Sequence, residues 1–367
     1  MFVTDEKISP IMQYFDALGY KYYFVNGKKN IRIFTTLEEE LNSLYKGVGL
    51  RDISNSGILE LNGNDVLDFL HRISTNKLKE LPVETVGKTI FTNEKGRVID
   101  TAVIMNFGDH QLLISSEEHK QKIANWISKY VITDDVKINN PENKYTLLEL
   151  LGPQADSFIT LVCGNVVNEI IENKFKAIRS EGIIFFLIKM QDKIGNPKYW
   201  ILADQENGLG LVKYMINNKG PFDFSLIGEN SYNCYRVDMG IPSAPNEIND
   251  EYNPHEAGII DLVSFTKGCY IGQEVIARLD TYDKVQKYLK GISFSEPVET
   301  NGYYDLFDDK GNEAGKITST AYSLKNKQNI GLAYIRKAYQ EEGTELTARN
   351  SSGQNIKVVV KNIPVKK

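Results

Sequence analysis

The residue types best able to do chemistry are concentrated in one short segment, residues 267–274, with the sequence KGCYIGQE. Cys269 lies between two glycines, which allow the backbone to approach a ligand closely. A neighbouring cation, Lys267 or Arg278, would favour the reactive thiolate form of the side chain. The alternative is a buried, structural cysteine in a turn. The segment therefore predicts either a working thiol or a packed cysteine at position 269.

A second candidate is Asp100, which lies among apolar residues of a predicted strand. A carboxylate in such a strand is costly unless it is paired or hydrogen-bonded. Carboxylates held in this way serve as acids, bases or ligand anchors. The alternative, equally compatible with the sequence, is an aspartate at a strand edge that faces water.

Arg236 and Asp238 stand near the end of a predicted helix that Gly240 caps. An arginine there can form paired hydrogen bonds to a carboxylate, although a surface ion pair is the simpler interpretation. The four histidines share no metal-binding spacing, and we expect His71 and His119 to be solvated helix residues. Neither C-x-x-C nor H-E-x-x-H occurs, so no metal site is predicted.

An internal repeat supplies the elements that must position these residues. Residues 59–63 (LELNG) are echoed by residues 148–152 (LELLG), and Phe69 by Phe158, at a constant offset. Each copy predicts a β-α-β-β-α-β order, the split βαβ arrangement of ferredoxin-like folds. We therefore expect a pseudo-duplicated α+β core with halves at about 45–140 and 141–240.

The remaining chain predicts a long loop and a second domain. Residues 239–257 are rich in proline, glycine, acids and amides, and loops of this length are usually functional or mobile. With the motif they form a predicted loop region, 241–284. Short strands and frequent turns from residue 285 onward predict a small β-barrel. The predicted domains are residues 1–284 and 285–367.

Composition excludes several classes of protein. The chain has 367 residues, with 43 basic and 48 acidic side chains and a net charge of −5, which argues against general nucleic-acid binding. No apolar run approaches the roughly 18 residues of a membrane span, and the first residues lack the pattern of a secretory signal. Three scattered cysteines indicate a reducing compartment. We expect a cytoplasmic protein that binds no membrane.

These segments, taken in order, resemble one known family. The KGCYIGQE stretch is similar to the signature of the YgfZ-type folate-binding proteins, which include mitochondrial iron–sulfur assembly factors. Those proteins are relatives of the glycine cleavage T-protein, an aminomethyltransferase. Further segments resemble the T-protein and its terminal barrel: residues 49–54 (GLRDIS), 96–100 (GRVID), 236–240 (RVDMG), 315–322 and 331–336.

The resemblance implies a ring of ferredoxin-like domains plus the barrel, with tetrahydrofolate or a related folate in the central channel. In the T-protein, the aspartate that matches Asp100 approaches the folate amine and assists transfer. An arginine that matches Arg236 belongs to the same pocket. By resemblance, the catalytic residues are Cys269 and Asp100, and the cofactor-binding residues are Asp100, Arg236, Tyr199, Lys267, Gln273 and Glu274.

The sequence also departs from the T-protein. Residues 195–200 read GNPKYW where T-proteins carry G-E-x-G-Y-E, whose acid holds the pterin ring, and T-proteins have no cysteine matching Cys269. These departures favour a folate-binding protein that supports iron–sulfur cluster assembly or repair, with iron–sulfur client enzymes or assembly proteins as partners. The alternatives are a tetrahydrofolate-dependent aminomethyltransferase that uses Asp100, and a binding module without chemistry that uses the barrel as a partner surface.

Overall fold

The computed structural model describes residues 9–25, 28–191, 195–282, 284–298 and 302–364. The elements that precede the repeat are α1 (Pro10–Ala17), β1 (Tyr22–Val25), β2 (Lys28–Ile31), α2 (Leu37–Lys46) and β3 (Val48–Asp52). A side-chain cap begins each helix, because the Ser9 hydroxyl accepts a hydrogen bond near the start of α1 and the Thr36 hydroxyl does so at α2. Strand β3 then joins a sheet that the second half of the repeat otherwise forms.

The first half of the repeat is a five-stranded antiparallel sheet covered by two helices. Its elements are β4 (Gly57–Asn62), α3 (Val66–Ile73), β5 (Thr85–Thr92), β6 (Val98–Asn106), β7 (Gln111–Ser115), α4 (Lys120–Tyr130) and β8 (Lys137–Asn139). The strand order is β5-β6-β7-β4-β8. Phe69 of α3 and Ile123 and Ile127 of α4 are fully buried against the sheet, so each helix presents an apolar face to it.

The second half repeats this topology with one strand inserted. Its elements are β9 (Tyr145–Leu151), α5 (Ala155–Cys163), β10 (Phe175–Ser180), β11 (Ile183–Gln191), β12 (Pro197–Asp204), α6 (Gln205–Asn217) and β13 (Phe224–Leu226). The order is β10-β11-β12-β9-β3-β13, so β3 lies between the counterparts of β4 and β8. Each half has three consecutive strands between its two helices, one more than the predicted β-α-β-β-α-β unit. These three strands form two successive antiparallel pairs.

Two glycines occupy the same place in the two halves, where the first strand turns toward the first helix. Gly63 has φ +132° and Gly152 has φ +119°, a region in which other residues are strained. A Cβ at Gly63 would lie 1.8 Å from the carbonyl oxygen of Asp135, and one at Gly152 would lie 2.6 Å from that of Gly47. Close backbone approach therefore explains why both repeated motifs end in glycine.

The two sheets pack face to face. One apolar layer joins them, contributed by Ile58, Val86, Met105, Leu112 and Ile114 of the first sheet and by Leu147, Phe175, Ile188, Met190 and Leu202 of the second. Because side chains alternate between strand faces, the residues two positions along from these also lie on the facing surfaces. Several of those residues are charged, and they form part of the site described below.

The long loop and two helices lead to the terminal barrel. Helix α7 (Glu229–Met239) ends at Gly240, which has φ +67°, and α8 (Gln273–Thr281) begins with the last two residues of the motif. Six strands then close into a barrel: β14 (Lys287–Phe294), β15 (Tyr304–Phe307), β16 (Glu313–Ser323), β17 (Gln328–Arg336), β18 (Glu345–Asn350) and β19 (Asn355–Lys361). The predicted fold class, α+β with a C-terminal β-barrel, is confirmed. The boundary at 284–285 stays a prediction. No helix within the described ranges has the length and apolar character needed to cross a bilayer.

Candidate functional site

The motif loop, defined as residues 267–272, packs against the hairpin that joins β5 to β6. The Ile271 carbonyl accepts a hydrogen bond from the Thr92 hydroxyl at 2.6 Å. Gly272 has φ +84°, and a Cβ there would lie 2.6 Å from the Asn93 carbonyl oxygen. A Cβ at Gly268 would meet nothing within 4 Å. Of the two glycines around Cys269, only Gly272 is therefore required by the close approach of neighbouring backbone.

Cys269 is exposed, whereas Cys163 is half-buried and Cys234 is buried. It lines a surface cavity of about 690 Å³ together with side chains of α3 and the turn that follows. The basic residues in this lining are His71, Arg72 and Lys79. The exposure excludes the alternative of a buried, structural cysteine. Arg72 and Lys79 both pair with Asp68, which lines the same cavity.

Lys267 points inward instead. Its ammonium donates hydrogen bonds to the carbonyl oxygens of His71, Ser74 and Asn76 at the end of α3. Burial lowers the pKa of Lys267 to about 8. The carbonyl groups at a helix C-terminus carry partial negative charge, which a cation offsets. These hydrogen bonds from Lys267 hold the motif loop against the C-terminal end of α3.

Asp100 is fully buried on β6, beside a β-bulge. The β5–β6 register shifts between the pairs Phe91–Asp100 and Thr92–Val98, and a bulge of this kind redirects side chains. The carboxylate accepts hydrogen bonds from the N–H of Thr101 at 2.8 Å, the N–H of Ser116 at 2.9 Å and the hydroxyl of Ser116 at 2.8 Å. The alternative of a water-facing strand edge is therefore excluded.

His119 lies beside this carboxylate, immediately before α4. Its Nδ1 atom is 3.6 Å from Oδ1 of Asp100, and it is buried with no hydrogen-bond partner in the part of the chain that the structure describes. One tenth of the His119 side chain is exposed, against none of Asp100. The expectation of a solvated His119 was wrong, because the sheet brings the bulge of β6 against the start of α4.

A second buried carboxylate, Glu149 on β9, organises the Glu149 cluster: Glu149, Arg51, Lys198, Trp200 and Tyr232. Nη1 of Arg51 lies 2.6 Å from Oε2 of Glu149. Oε1 pairs with the Lys198 ammonium and accepts the indole N–H of Trp200 at 3.1 Å. The Arg51 guanidinium also lies 3.2 Å from the ring centroid of Tyr232. Two cations and one indole thus satisfy a single buried carboxylate.

The charges in this cluster act on one another. Burial alone would raise the pKa of Glu149, but the charges of Lys198 and Arg51 lower it to about 2. Lys88 lies on the facing surface of β5, and burial together with the charge of Lys198 lowers its pKa. Nε of Arg51 is buried and finds no acceptor among the described residues. The surface between the sheets therefore offers cations and aromatic rings.

Tyr23 is influenced by acidic residues from two parts of the chain. Burial raises the pKa of Tyr23, and so do the negative charges of Glu229 and Glu117. Oε1 of Glu229 lies 3.7 Å from Nη2 of Arg51, while Glu117 precedes His119 by two residues. Charges beside the Glu149 cluster and shortly before α4 therefore both act on Tyr23.

Arg236 is buried at the junction of α7, the long loop and the barrel. Its guanidinium pairs with Glu247 at 3.0 Å and donates to the Ser319 hydroxyl at 2.8 Å. Glu247 also accepts from the hydroxyls of Thr318 at 2.5 Å and Ser319 at 2.7 Å. Arg236 is thus not a surface ion pair. Its protein partners occupy the guanidinium, and it joins the barrel to the rest of the chain.

Three further residues of the predicted ligand site lie elsewhere. Tyr199 is completely buried in the apolar core on the helix side of β12, where its hydroxyl donates to Asp156. The neighbouring Trp200 faces the opposite side. Gln273 and Glu274 begin α8, the first half-buried and the second exposed. The structure therefore does not bring all the predicted ligand residues together.

Some residues of the site were missed from the sequence. Glu149 carries the same signal as Asp100, a carboxylate within an apolar strand, and Arg51 lies in the GLRDIS segment. Lys198 lies in the divergent GNPKYW stretch. His119 gives no local signal, because its relation to Asp100 depends on how separate elements meet.

Two family profiles match the chain. Residues 10–267 match the GCVT N-terminal domain, and residues 287–366 match the glycine cleavage T-protein C-terminal barrel domain. The chain is 26% identical over 336 residues to a putative chloroplastic transferase of Arabidopsis thaliana, covering 91% of this chain and 75% of that protein. It is 25% identical over 334 residues to an aminomethyltransferase of Thermoanaerobacter pseudethanolicus, covering 91% and 88% respectively.

A solved structure shares the fold over the whole length. The glycine cleavage system aminomethyltransferase T from Bartonella henselae superposes with a TM-score of 0.84 at 18% sequence identity. The match covers 99% of this chain and 98% of that one. At this identity the likeness concerns the fold alone.

Proposed function

This chain belongs to the glycine cleavage T-protein family, and we propose that it is a YgfZ-type, tetrahydrofolate-binding protein that supports iron–sulfur cluster assembly or repair through Cys269. The observation that carries the proposal is the exposed Cys269 thiol in a cavity of about 690 Å³. The KGCYIGQE sequence around it resembles the YgfZ signature. The T-protein pattern has no cysteine at the position of Cys269, so this thiol favours the YgfZ-type interpretation.

The surface between the sheets suits a folate. Tetrahydrofolate carries one-carbon groups and combines a pterin, a benzoyl ring and a glutamate tail. Trp200 offers an aromatic face, while Lys88 suits the tail carboxylates. Glu149 is already bound by two cations, so the cluster has no free carboxylate for the guanidine-like edge of the pterin. We propose that the Glu149 cluster holds the ligand near Asp100.

Of the three cysteines, we propose that only Cys269 carries out thiol chemistry. Burial raises the pKa of Cys163 to about 12 and also raises that of Cys234, which keeps both as thiols near neutral pH. A single thiolate does not hold an iron–sulfur cluster by itself. Cys269 would therefore act transiently, on a cluster or sulfur atom whose other ligands come from a client or assembly protein. This chemistry suits a reducing compartment, and we propose the cytoplasm.

The alternative is a tetrahydrofolate-dependent aminomethyltransferase. The near full-length similarity to an aminomethyltransferase of Thermoanaerobacter pseudethanolicus favours it. Asp100 is also present and is held firmly by Thr101 and Ser116. A glycine cleavage assay with lipoylated carrier protein and tetrahydrofolate separates the two functions, because only the transferase turns over in it.

Folate binding is tested by titrating the purified chain with tetrahydrofolate in a calorimeter. Trp200→Leu removes the aromatic face of the cluster, and we expect it to lower the affinity about tenfold, near the loss of one stacking contact. The matched control is Trp126→Leu, which changes the only other tryptophan, on α4. Absence of binding to the unmodified chain would overturn this part of the proposal.

The role of the thiol is tested in cells whose own copy of the gene is replaced by Cys269→Ser. Serine keeps the size but loses thiolate nucleophilicity and affinity for iron. We expect the activity of an iron–sulfur enzyme to fall in these cells, while Cys163→Ser cells keep it. Normal activity with Cys269→Ser would contradict the proposed role and favour the transferase.

A further inference from the structure

We infer that Asp100 acts through His119: the buried carboxylate orients the imidazole ring, and the ring, rather than the carboxylate, contacts the bound folate. This inference rests on the proposed folate binding. It makes His119 a ligand-binding residue and Asp100 a positioning residue.

The carboxylate of Asp100 has no surface with which to meet a ligand. Its side chain is fully buried, and its oxygens already accept three hydrogen bonds. Two of the donors are backbone N–H groups, of Thr101 on β6 and of Ser116 directly after β7, which move only if β6 or the end of β7 moves. A direct contact between Asp100 and a folate would therefore require this part of the fold to rearrange.

His119 has the properties that Asp100 lacks. One tenth of its side chain is exposed, and Nδ1 is a buried polar atom without a hydrogen-bond partner in the described residues. Nδ1 lies 3.6 Å from Oδ1 of Asp100, so a slight rotation of the ring completes an N–H···O bond. Hydrogen bonds of this kind often tighten only when a ligand binds.

The carboxylate also determines which ring nitrogen carries the proton. A carboxylate accepts but does not donate, so its partner Nδ1 must bear hydrogen in the neutral ring. Nε2 of His119 is then left as an acceptor for an N–H group of a ligand. The same logic governs other carboxylate–imidazole pairs, in which the carboxylate holds the ring in one tautomer.

The location of His119 is compatible with this role. Glu117, two residues before it, and Glu229 both act on Tyr23, and Glu229 lies 3.7 Å from Arg51 of the Glu149 cluster. We propose that a folate held by the cluster reaches toward the residues that precede α4.

The inference is tested by a double-mutant cycle on tetrahydrofolate affinity. We expect His119→Ala to weaken binding about tenfold, the loss of one hydrogen bond, and Asp100→Asn to weaken it by up to the same factor. In the His119→Ala background, Asp100→Asn should have no further effect, because the carboxylate acts only through the ring. Equal losses from Asp100→Asn in both backgrounds, or normal affinity of His119→Ala, would overturn the inference.

A second measurement does not depend on turnover or on affinity. The chain has four histidines, whose ring tautomers can be followed by NMR after ¹⁵N-histidine labelling. Asp100→Asn should change the tautomer balance of His119 and leave the other histidines unchanged. The matched control is Asp109→Asn, which removes the exposed partner 2.8 Å from Nδ1 of His110 and should affect only that ring.

The outcomes separate this inference from the proposed function. If the unmodified chain binds no tetrahydrofolate, the proposed function fails and the ligand contact of His119 fails with it. If the chain binds tetrahydrofolate but His119 signals do not respond to the ligand, only the inference fails. The inference is also refuted if Asp100→Asn leaves the His119 tautomer unchanged while the NMR signals of the other histidines stay at their native positions.

Discussion

Trp200 and Glu149 lie directly opposite each other on β12 and β9, and the indole N–H donates to the Glu149 carboxylate at 3.1 Å. Arg51 and Lys198 pair with the same carboxylate. By resemblance, the GNPKYW stretch that contains Trp200 replaces the segment with which T-proteins hold the pterin through an acid. In this chain the nearby acid comes from the neighbouring strand and is already neutralised, so the surface offers cations and rings to a ligand.

Glu149→Gln should be strongly destabilising. The substitution leaves Arg51 and Lys198 without their buried counter-charge, which typically costs about 3–5 kcal/mol. The free energy of unfolding in urea measures the loss. The repeat supplies a matched control, Glu60→Gln at the corresponding position of β4. Glu60 pairs with Lys144 at 2.8 Å on a more exposed surface, and we expect a cost below about 1 kcal/mol. Similar losses in the two variants would contradict this account of the cluster.

The Glu149 carboxylate should also make the stability of the fold depend on pH. Against its burial, the charges of Lys198 and Arg51 lower the pKa of Glu149 from 4.5 to about 2. A carboxyl whose pKa is lower in the folded chain stabilises the fold above its unfolded pKa and loses this contribution as the pH falls. The difference in unfolding free energy between the unmodified chain and Glu149→Gln should therefore narrow between pH 4.5 and about pH 2. A constant difference across this range would show that the carboxyl does not titrate as described.

Gly272→Ala should destabilise the motif loop, while Gly268→Ala should not. At Gly272, φ is +84° and a new Cβ would lie 2.6 Å from the Asn93 carbonyl oxygen. Strain of this kind costs on the order of 1–3 kcal/mol. At Gly268 a Cβ meets nothing within 4 Å, and we expect a change within about 0.5 kcal/mol. Thermal unfolding of both variants measures the contrast, which equal melting temperatures would refute.

Only one of the three cysteines should react readily with iodoacetamide in the folded chain. Cys269 is exposed, whereas burial raises the pKa of Cys163 to about 12 and that of Cys234 above its usual value. Mass spectrometry should therefore find one rapid modification, which Cys269→Ser removes. The other two thiols should react only after unfolding in urea. Rapid labelling of Cys234 in the folded chain would argue against the burial described here.

Arg236→Ala should lower the stability of the fold. The change leaves Glu247 as a buried carboxylate without its cation, and we expect a loss of about 3–5 kcal/mol in unfolding free energy. Adding Glu247→Gln should recover part of the loss, because it removes the unpaired charge. An Arg236→Ala variant with normal stability but weaker tetrahydrofolate binding would instead make Arg236 a ligand residue.

Local signals predicted much of the fold. Gly240 was correctly expected to end a helix, which the structure places at Glu229–Met239. The echo of LELNG in LELLG indicated the duplication, and turn-rich sequence after residue 285 indicated the barrel. The insertion of β3 into the second sheet was not predictable in this way, because strand pairing between residues 48–52 and 145–151 leaves no local pattern.

The sequence by itself determined which residues are capable of chemistry and which elements contain them, because helix periodicity, capping and turn glycines are properties of short segments. Only the tertiary structure decided their partners. Sheet order placed Glu149 between Arg51 and Lys198, and a bulge in β6 turned Asp100 toward Ser116 and His119. Burial and pairing of charges depend on contacts between distant segments, so the same carboxylate signal in two strands led to two different sites.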